Sequence, residues 1–289
     1  MAVLNRLNLV CLAVMLLAVQ STAQQQDVFE RFAGTYITGH EFGGSSLRLE
    51  ADGHFSTGSG SDDGTEISTS GTYTLSDGAL HFLVVKKTGK RGGEGRELNL
   101  FDRQDRIELF GISEDEEPER EFKMLPIEWS GRIYLICEKD LEDFANAVNL
   151  GLEPRPQLSS NRLSSPWYGS FYLRSGDEQK KVTGNPPLPE PWLSFLLSKP
   201  ITATVISIEE TRKSRFSTTF TATINKGSRD GLKVGMRLLT TDEEPSPWGG
   251  TKMISVKEKT AKIETDLVRS ELKVGDKISS KYETKYLYR

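Results

Sequence analysis

Short stretches that alternate apolar and polar residues, each cut off by a glycine-bearing turn, dominate the chain and most constrain its fold. Leu47-Arg48-Leu49 alternates, stops at Ala51-Asp52-Gly53 and resumes at Phe55. Gly71 to Leu75 leads through Ser76-Asp77-Gly78 into Ala79 to Val85. Asp-Gly between two apolar runs is a hairpin signal, because glycine supplies the positive φ of a tight turn. Leu98/Leu100 and Ile107/Leu109 alternate on either side of Asp102 to Asp105 and read as a further hairpin. Phe122/Met124 and Ile133 to Ile136 complete the front set, and Ala203 to Ile208, Phe220 to Ile224, Lys252 to Val256 and Ala261 to Ile263 repeat the pattern near the C-terminus. One stretch alone has a clear helical period: Leu141, Phe144, Ala145 and Val148 fall at i, i+3, i+4 and i+7. Asp140 stands at its N-cap and Gly151 at its C′ position. Such a helix packs as a lid or plug on strands. The expected fold is mainly β: two small antiparallel barrel-like or sandwich domains, one amphipathic helix after the first, and an ordered Pro-rich connector.

The first 23 residues have the order of a secretory signal peptide. Arg6 precedes an apolar run from Leu7 to Val19, and Ser21-Thr22-Ala23 offers small residues for cleavage. The run is about 13 residues, short of the roughly 20 that span a bilayer. Cleavage after Ala23 predicts an exported chain, periplasmic or extracellular, with no transmembrane segment remaining. Cys137 is then the only cysteine, so apolar burial must hold the fold together without disulfides. Its apolar neighbours mark it as a small buried hydrophobe.

The expected divisions are a signal peptide at 1–23, a β domain with terminal helix at 24–151, a connector at 152–200 and a small β-barrel at 201–289. The connector holds Pro154, Pro156, Pro166, Pro186, Pro187, Pro189, Pro191 and Pro200. Within it, Trp167 to Leu173 suits a strand, and Trp192 to Leu197 a short helix begun by Pro191. Trp192 and Phe195 are expected to fold Pro186 to Pro189 back onto the chain. Residues 24–151 carry 25 acidic against 13 basic side chains; residues 201–289 carry 12 against 17. A net of +5 at the back, without a basic stripe of interleaved aromatics, gives no case for nucleic-acid binding.

No catalytic constellation is visible. His40, His54 and His81 stand in no tight ligand pattern, so neither a metal nor a cofactor is assigned. Ser61-Asp62-Asp63-Gly64 lacks the alternating oxygen ligands of a calcium loop and reads as a hairpin tip. There is no Gly-x-Ser-x-Gly elbow and no phosphate-cradling loop.

Three stretches carry resemblances. Phe29, Phe32, Gly34 and Tyr36 resemble the opening of a lipocalin-type barrel, with Tyr36 where that family has tryptophan. Trp129-Ser-Gly-Arg132-Ile-Tyr134, the helix, and Gly151-Leu-Glu153-Pro154-Arg155 are similar to uncharacterised exported bacterial proteins with lipocalin-like domains. Ile224 to Met236 resembles a strand-turn-strand phrase in the periplasmic β-barrel domain of rod-shape-determining scaffold proteins, whose long coiled coil is missing here. In that phrase Leu232 and Val234 are expected to face inward. Leu232-Lys233-Val234-Gly235 returns 40 residues later as Leu272-Lys273-Val274-Gly275, either as a structural repeat or as a coincidence of strand entries.

These features favour an exported, non-enzymatic binding or scaffolding protein of the cell envelope, its partner an envelope protein or a cell-wall component. The alternatives are a carrier of a small apolar ligand in the first barrel and a hydrolase using paired carboxylates. Trp129, Arg132, Tyr134, Glu153 and Arg155 are expected to form a structural junction of barrel, helix and connector.

Overall fold

The computed structural model describes residues 27, 29–40, 43–61, 63–92, 95–111, 118–152, 171–215, 217–240, 251–267 and 271–281. The signal peptide, Glu153 and Arg155 lie outside them. The fold is mainly β and contains two closed barrels with few helices. Among the described residues no helix is long and apolar enough to cross a membrane.

The first sheet has nine strands: β1 (Gly34–His40), β2 (Gly43–Leu49), β3 (His54–Ser61), β4 (Thr65–Ser76), β5 (Ala79–Arg91), β6 (Leu98–Asn99), β7 (Glu121–Trp129), β8 (Arg132–Cys137) and β9 (Phe171–Arg174). They lie in the order β4-β3-β2-β1-β9-β8-β7-β5-β6, and β4 also pairs with β5. The chain divides into two compact units, Met1–Ile37 with Phe42–Pro126, and Thr38–Glu41 with Ile127–Arg289.

In the first unit the long hairpin β4–β5 turns where expected. Asp77 and Gly78 both have positive φ, 51° and 75°, which matches the right-handed twist of the flanking strands. Inward positions carry rings. Phe82 stacks on Phe122 at 4.5 Å, Phe55 meets both edge-on at 5.1 and 5.9 Å, and Phe29 caps Tyr73 at 5.1 Å. Phe55, Tyr73 and Phe82 are buried, and each such ring stabilises the fold by about 1.5–3 kcal/mol. The buried Tyr73 hydroxyl donates to the Glu50 carbonyl. Burial, with the charges of Asp52 and Glu50, pushes its pKa up to about 12. Tyr36 is fully buried, and its hydroxyl donates to the Phe32 carbonyl at 2.9 Å.

Residues 98–110 depart from the expected hairpin. After the two-residue β6 the chain forms helix α1 (Arg103–Phe110). Asp102 caps it by accepting from the Gln104 and Asp105 N–H groups, and Gly111, at φ 72°, ends it. Leu109 joins Leu98 and Leu100 in a small buried cluster beside Ile67. The capping bonds and this cluster outweigh the period-2 alternation of the same side chains.

In the second unit β8 carries five consecutive buried residues, Arg132 to Ile136. Cys137, at its end, is half-buried rather than buried. Helix α2 (Leu141–Asn149) follows a 3-10 turn, Glu138–Asp140. That turn gives Asp140 a helical backbone, so its carboxylate makes no cap bond, contrary to expectation; one of its oxygens is buried without a partner. The C-terminus ends as expected: Gly151 donates to Val148 and Leu152 to Ala147, a Schellman closure. Phe144 is fully buried against Tyr134 and Phe171, at 5.2 and 5.1 Å. The connector is anchored locally. Leu188 and Phe195 are buried, Trp192 packs on Phe195, and Asn149 bonds the Phe195 carbonyl and the Leu197 N–H.

The second barrel comprises β10 (Thr202–Lys213), β11 (Thr218–Ile224), β12 (Arg237–Thr240), β13 (Thr251–Val256), β14 (Ala261–Leu267) and β15 (Lys277–Ser279), closed in the order β10-β11-β14-β13-β12-β15. Exchanging β10 with β13, β11 with β14 and β12 with β15 returns the same cyclic order. The two Leu-Lys-Val-Gly phrases occupy equivalent turns. Gly235 and Gly275 have φ of 90° and 99°, and their N–H groups donate to the carbonyls of Met253 and Val205. The following residues, Met236 and Asp276, accept from the N–H groups of those same partners. The phrase is therefore a structural repeat. Leu232 and Leu272 are buried, but Val234 and Val274 are exposed, which corrects the inward placement of Val234. Val234 is the first corner of a turn closed by the Met236 N–H on the Lys233 carbonyl, with Gly235 at the positive-φ second corner, so strand alternation does not apply to it. Gly227 is extended, at φ −148°; it is needed because an added Cβ would lie 2.2 Å from the Lys257 carbonyl oxygen.

Candidate functional site

The outward face of β2 to β5 lines a cleft of about 640 Å³. Strand alternation sends Leu47, Leu49 and Phe55 inward and leaves their neighbours outside. The pairing register then aligns those neighbours in rows across four strands. Ser46, Gly58, Ser68 and Thr88 form one row, and Arg48, Ser56, Ser70 and Lys86 the next. A third holds Gly44, Gly60, Glu66 and Lys90. A hydroxyl row is thus flanked by two charged rows. Gly58 and Gly60 keep the floor open: a Cβ at Gly58 would meet only the Ser46 hydroxyl, and one at Gly60 nothing within 4 Å.

Each charge of the cleft has a partner, two of the three pairs lying within the cleft and the third reaching Glu50 beside it. Lys90 pairs with Glu66 at 2.9 Å, Lys86 with Glu97 at 2.8 Å and Arg48 with Glu50 at 2.6 Å. Bonds from Lys86 and from the Thr88 hydroxyl hold the Glu97 carboxyl below its ordinary range. Exposed pairs like these contribute little stability. Their consequence is a surface rich in donors and acceptors and nearly balanced in charge.

A shallower groove of about 500 Å³ lies on the outward face of β4, β5 and β7, with His81, Leu83, Glu121 and Lys123 among its walls. His54 lies 3.1 Å from Asp52, both exposed. For His40 only the backbone, within β1, is described. Among the described residues no three His, Cys, Asp or Glu converge as a metal site. At the hairpin tip, Asp63 accepts from the Ser61 hydroxyl, the Thr65 N–H and Arg91, and these bonds hold its carboxyl well below the usual range.

Three of the five junction residues are described, and they lie together. Trp129 stands 6.4 Å from Tyr134, and its indole N–H is shared by the Thr183 and Gly184 carbonyls. Arg132 is fully buried; it donates to the Lys180 carbonyl at 2.6 Å, the Glu178 carbonyl at 3.3 Å and the Tyr134 hydroxyl at 3.3 Å. Beside it is a residue that sequence reasoning missed, Asp177. Its buried carboxylate accepts from the Ile133 N–H, Lys180 and Arg174. Burial alone would raise this carboxyl, but those three donors hold it below its ordinary value of 3.8. A carboxylate lowered on folding stabilises above its unfolded pKa and loses that contribution as pH falls through the folded value. Asp177→Asn should therefore cost about 2 kcal/mol at pH 7, under the fully buried range because both cations are partly exposed. The gap from the wild type should shrink below about pH 3.8. Urea titrations at pH 7 and pH 3 measure it; equal midpoints at pH 7 contradict the role.

No family model matches the chain, and no curated protein or solved structure is detectably similar to it.

Proposed function

We propose that the chain is an exported binding or scaffolding protein of the cell envelope, and that the cleft on β2 to β5 is its contact surface for a polar cell-wall polymer. The carrying observation is the exposed hydroxyls of Ser46 and Ser68, set between charged rows in which Lys86 and Lys90 are paired with Glu97 and Glu66. Such a surface offers many hydrogen bonds and little net charge, which suits an uncharged polar chain better than a strongly ionic one. Serine and threonine hydroxyls both donate and accept, so they can follow the alternating groups of a glycan or a peptide backbone.

Co-sedimentation with purified cell-wall sacculi tests the reading. The wild type is expected to pellet with them. Ser68→Trp, which fills the centre of the cleft with an exposed side chain, should remain in the supernatant with an unchanged melting temperature. A wild type that stays soluble, or a variant that pellets equally well, would refute it.

A further inference from the structure

The repeated turns of the second barrel differ in what covers them. The first, at Gly235, is clothed by α2. The buried Asn146 carboxamide donates to the Gly235 carbonyl at 3.2 Å and accepts from the Arg237 N–H at 2.8 Å. One turn earlier on the helix, Asp143 lies 3.7 Å from the Arg237 guanidinium. Gly235 is consequently buried, and a Cβ there would sit 3.0 Å from the Glu142 carboxylate.

The second turn has the same backbone, and among the described residues no helix covers it. Gly275 matches Gly235 in φ and in its bonds to the barrel, and Lys277 takes the place of Arg237. The ladder agrees: Arg237 and Leu238 face Lys252 and Thr251, as Lys277 and Ile278 face Thr204 and Ala203. Yet Gly275 and Lys277 are exposed, and a Cβ at Gly275 would meet nothing within 4 Å. Exposed Val274 borders the turn; Asp276, where the first turn has Met236, accepts from the Lys273 N–H at 2.7 Å, and the exposed Lys277 ammonium rests on the Thr204 hydroxyl at 2.6 Å.

We infer that the Gly275 turn is a docking site for a helix of a partner protein, held through that helix's polar face as α2 is held at the Gly235 turn. The partner helix carries an asparagine that meets the Gly275 carbonyl and the Lys277 N–H, and an acidic residue three positions before it that faces the Lys277 ammonium. The occupant is specified by the chain's own helix on the equivalent turn. A helix is preferred to a strand because the Asn146 side chain, rather than a neighbouring backbone, supplies the two hydrogen bonds at the covered turn. The inference is independent of the cleft on the first barrel.

The probe is a stapled, fluorescent peptide of residues 138–152, added to the full chain up to about 1 mM, where a contact of about 4 kcal/mol is half-saturated. Saturable binding is expected, weakened at least tenfold by Lys277→Glu in the protein and by Asn146→Ala in the peptide. A photo-crosslinking residue at Val274 should capture the peptide, and one at Val234, equally exposed, should not. Absence of saturation overturns the inference. So does binding indifferent to Lys277→Glu, or capture at Val234 alone, which would mean that the peptide displaces the chain's own helix.

Discussion

Replacing Arg132 by alanine is expected to lower stability by about 3 kcal/mol, because it leaves several acceptors without their buried, charged donor. The side chain is fully buried and ties β8 to the segment after β9 through the Lys180 and Glu178 carbonyls. Alanine leaves those acceptors and the Tyr134 hydroxyl facing a cavity. Unmade bonds to a charged donor cost about 1.5–3 kcal/mol each, offset in part by the guanidinium no longer being desolvated. Arg132→Lys keeps the charge but cannot reproduce the planar fork, so it should recover less than half of the loss. Chemical denaturation of the three proteins checks this. A loss below about 1 kcal/mol for alanine would show that the network is dispensable.

Gly71→Ala should be nearly as damaging, for a reason of space alone. An added Cβ would lie 1.9 Å from the Leu83 carbonyl oxygen and 2.9 Å from the Phe55 ring. The struck atom is backbone of the neighbouring strand, at the point where the β4–β5 register shifts between Ser70 and Gly71. It cannot swing aside as a side chain would. A cost of about 3 kcal/mol, the upper end for overpacking, is expected. Gly60→Ala is the matched control on the same sheet: its Cβ meets nothing within 4 Å, and the change should stay within about 0.5 kcal/mol. Thermal melts of both variants separate the cases, and equal melting temperatures would contradict the close approach.

Local chemistry made part of this fold legible. The Asp77-Gly78 corner, the inward Leu47, Leu49 and Phe55, and the α2 stripe each follow from a few adjacent residues. Helix α1 was obscured because Leu98, Leu100, Ile107 and Leu109 alternate as a hairpin would. Asp102 as a cap and Gly111 as a terminator were the signals that could have revealed it. The Asp140 cap failed because a 3-10 turn consumed the residue first. Val234 faces out because it stands in a turn, where strand alternation does not hold. The cleft had no local signature at all. Ser68 and Thr88 become neighbours only through the β4–β5 register, and nothing near either residue announces it. Asp177 was hidden likewise, since its partner Ile133 lies 44 positions away.

Hydrogen–deuterium exchange of the whole chain, with and without solubilised cell-wall fragments, tests most directly where the partner binds. Slowed exchange confined to β2 to β5, and absent in Ser68→Trp, is the predicted result. Protection elsewhere, or none at fragment concentrations that saturate the chain, would contradict the assignment.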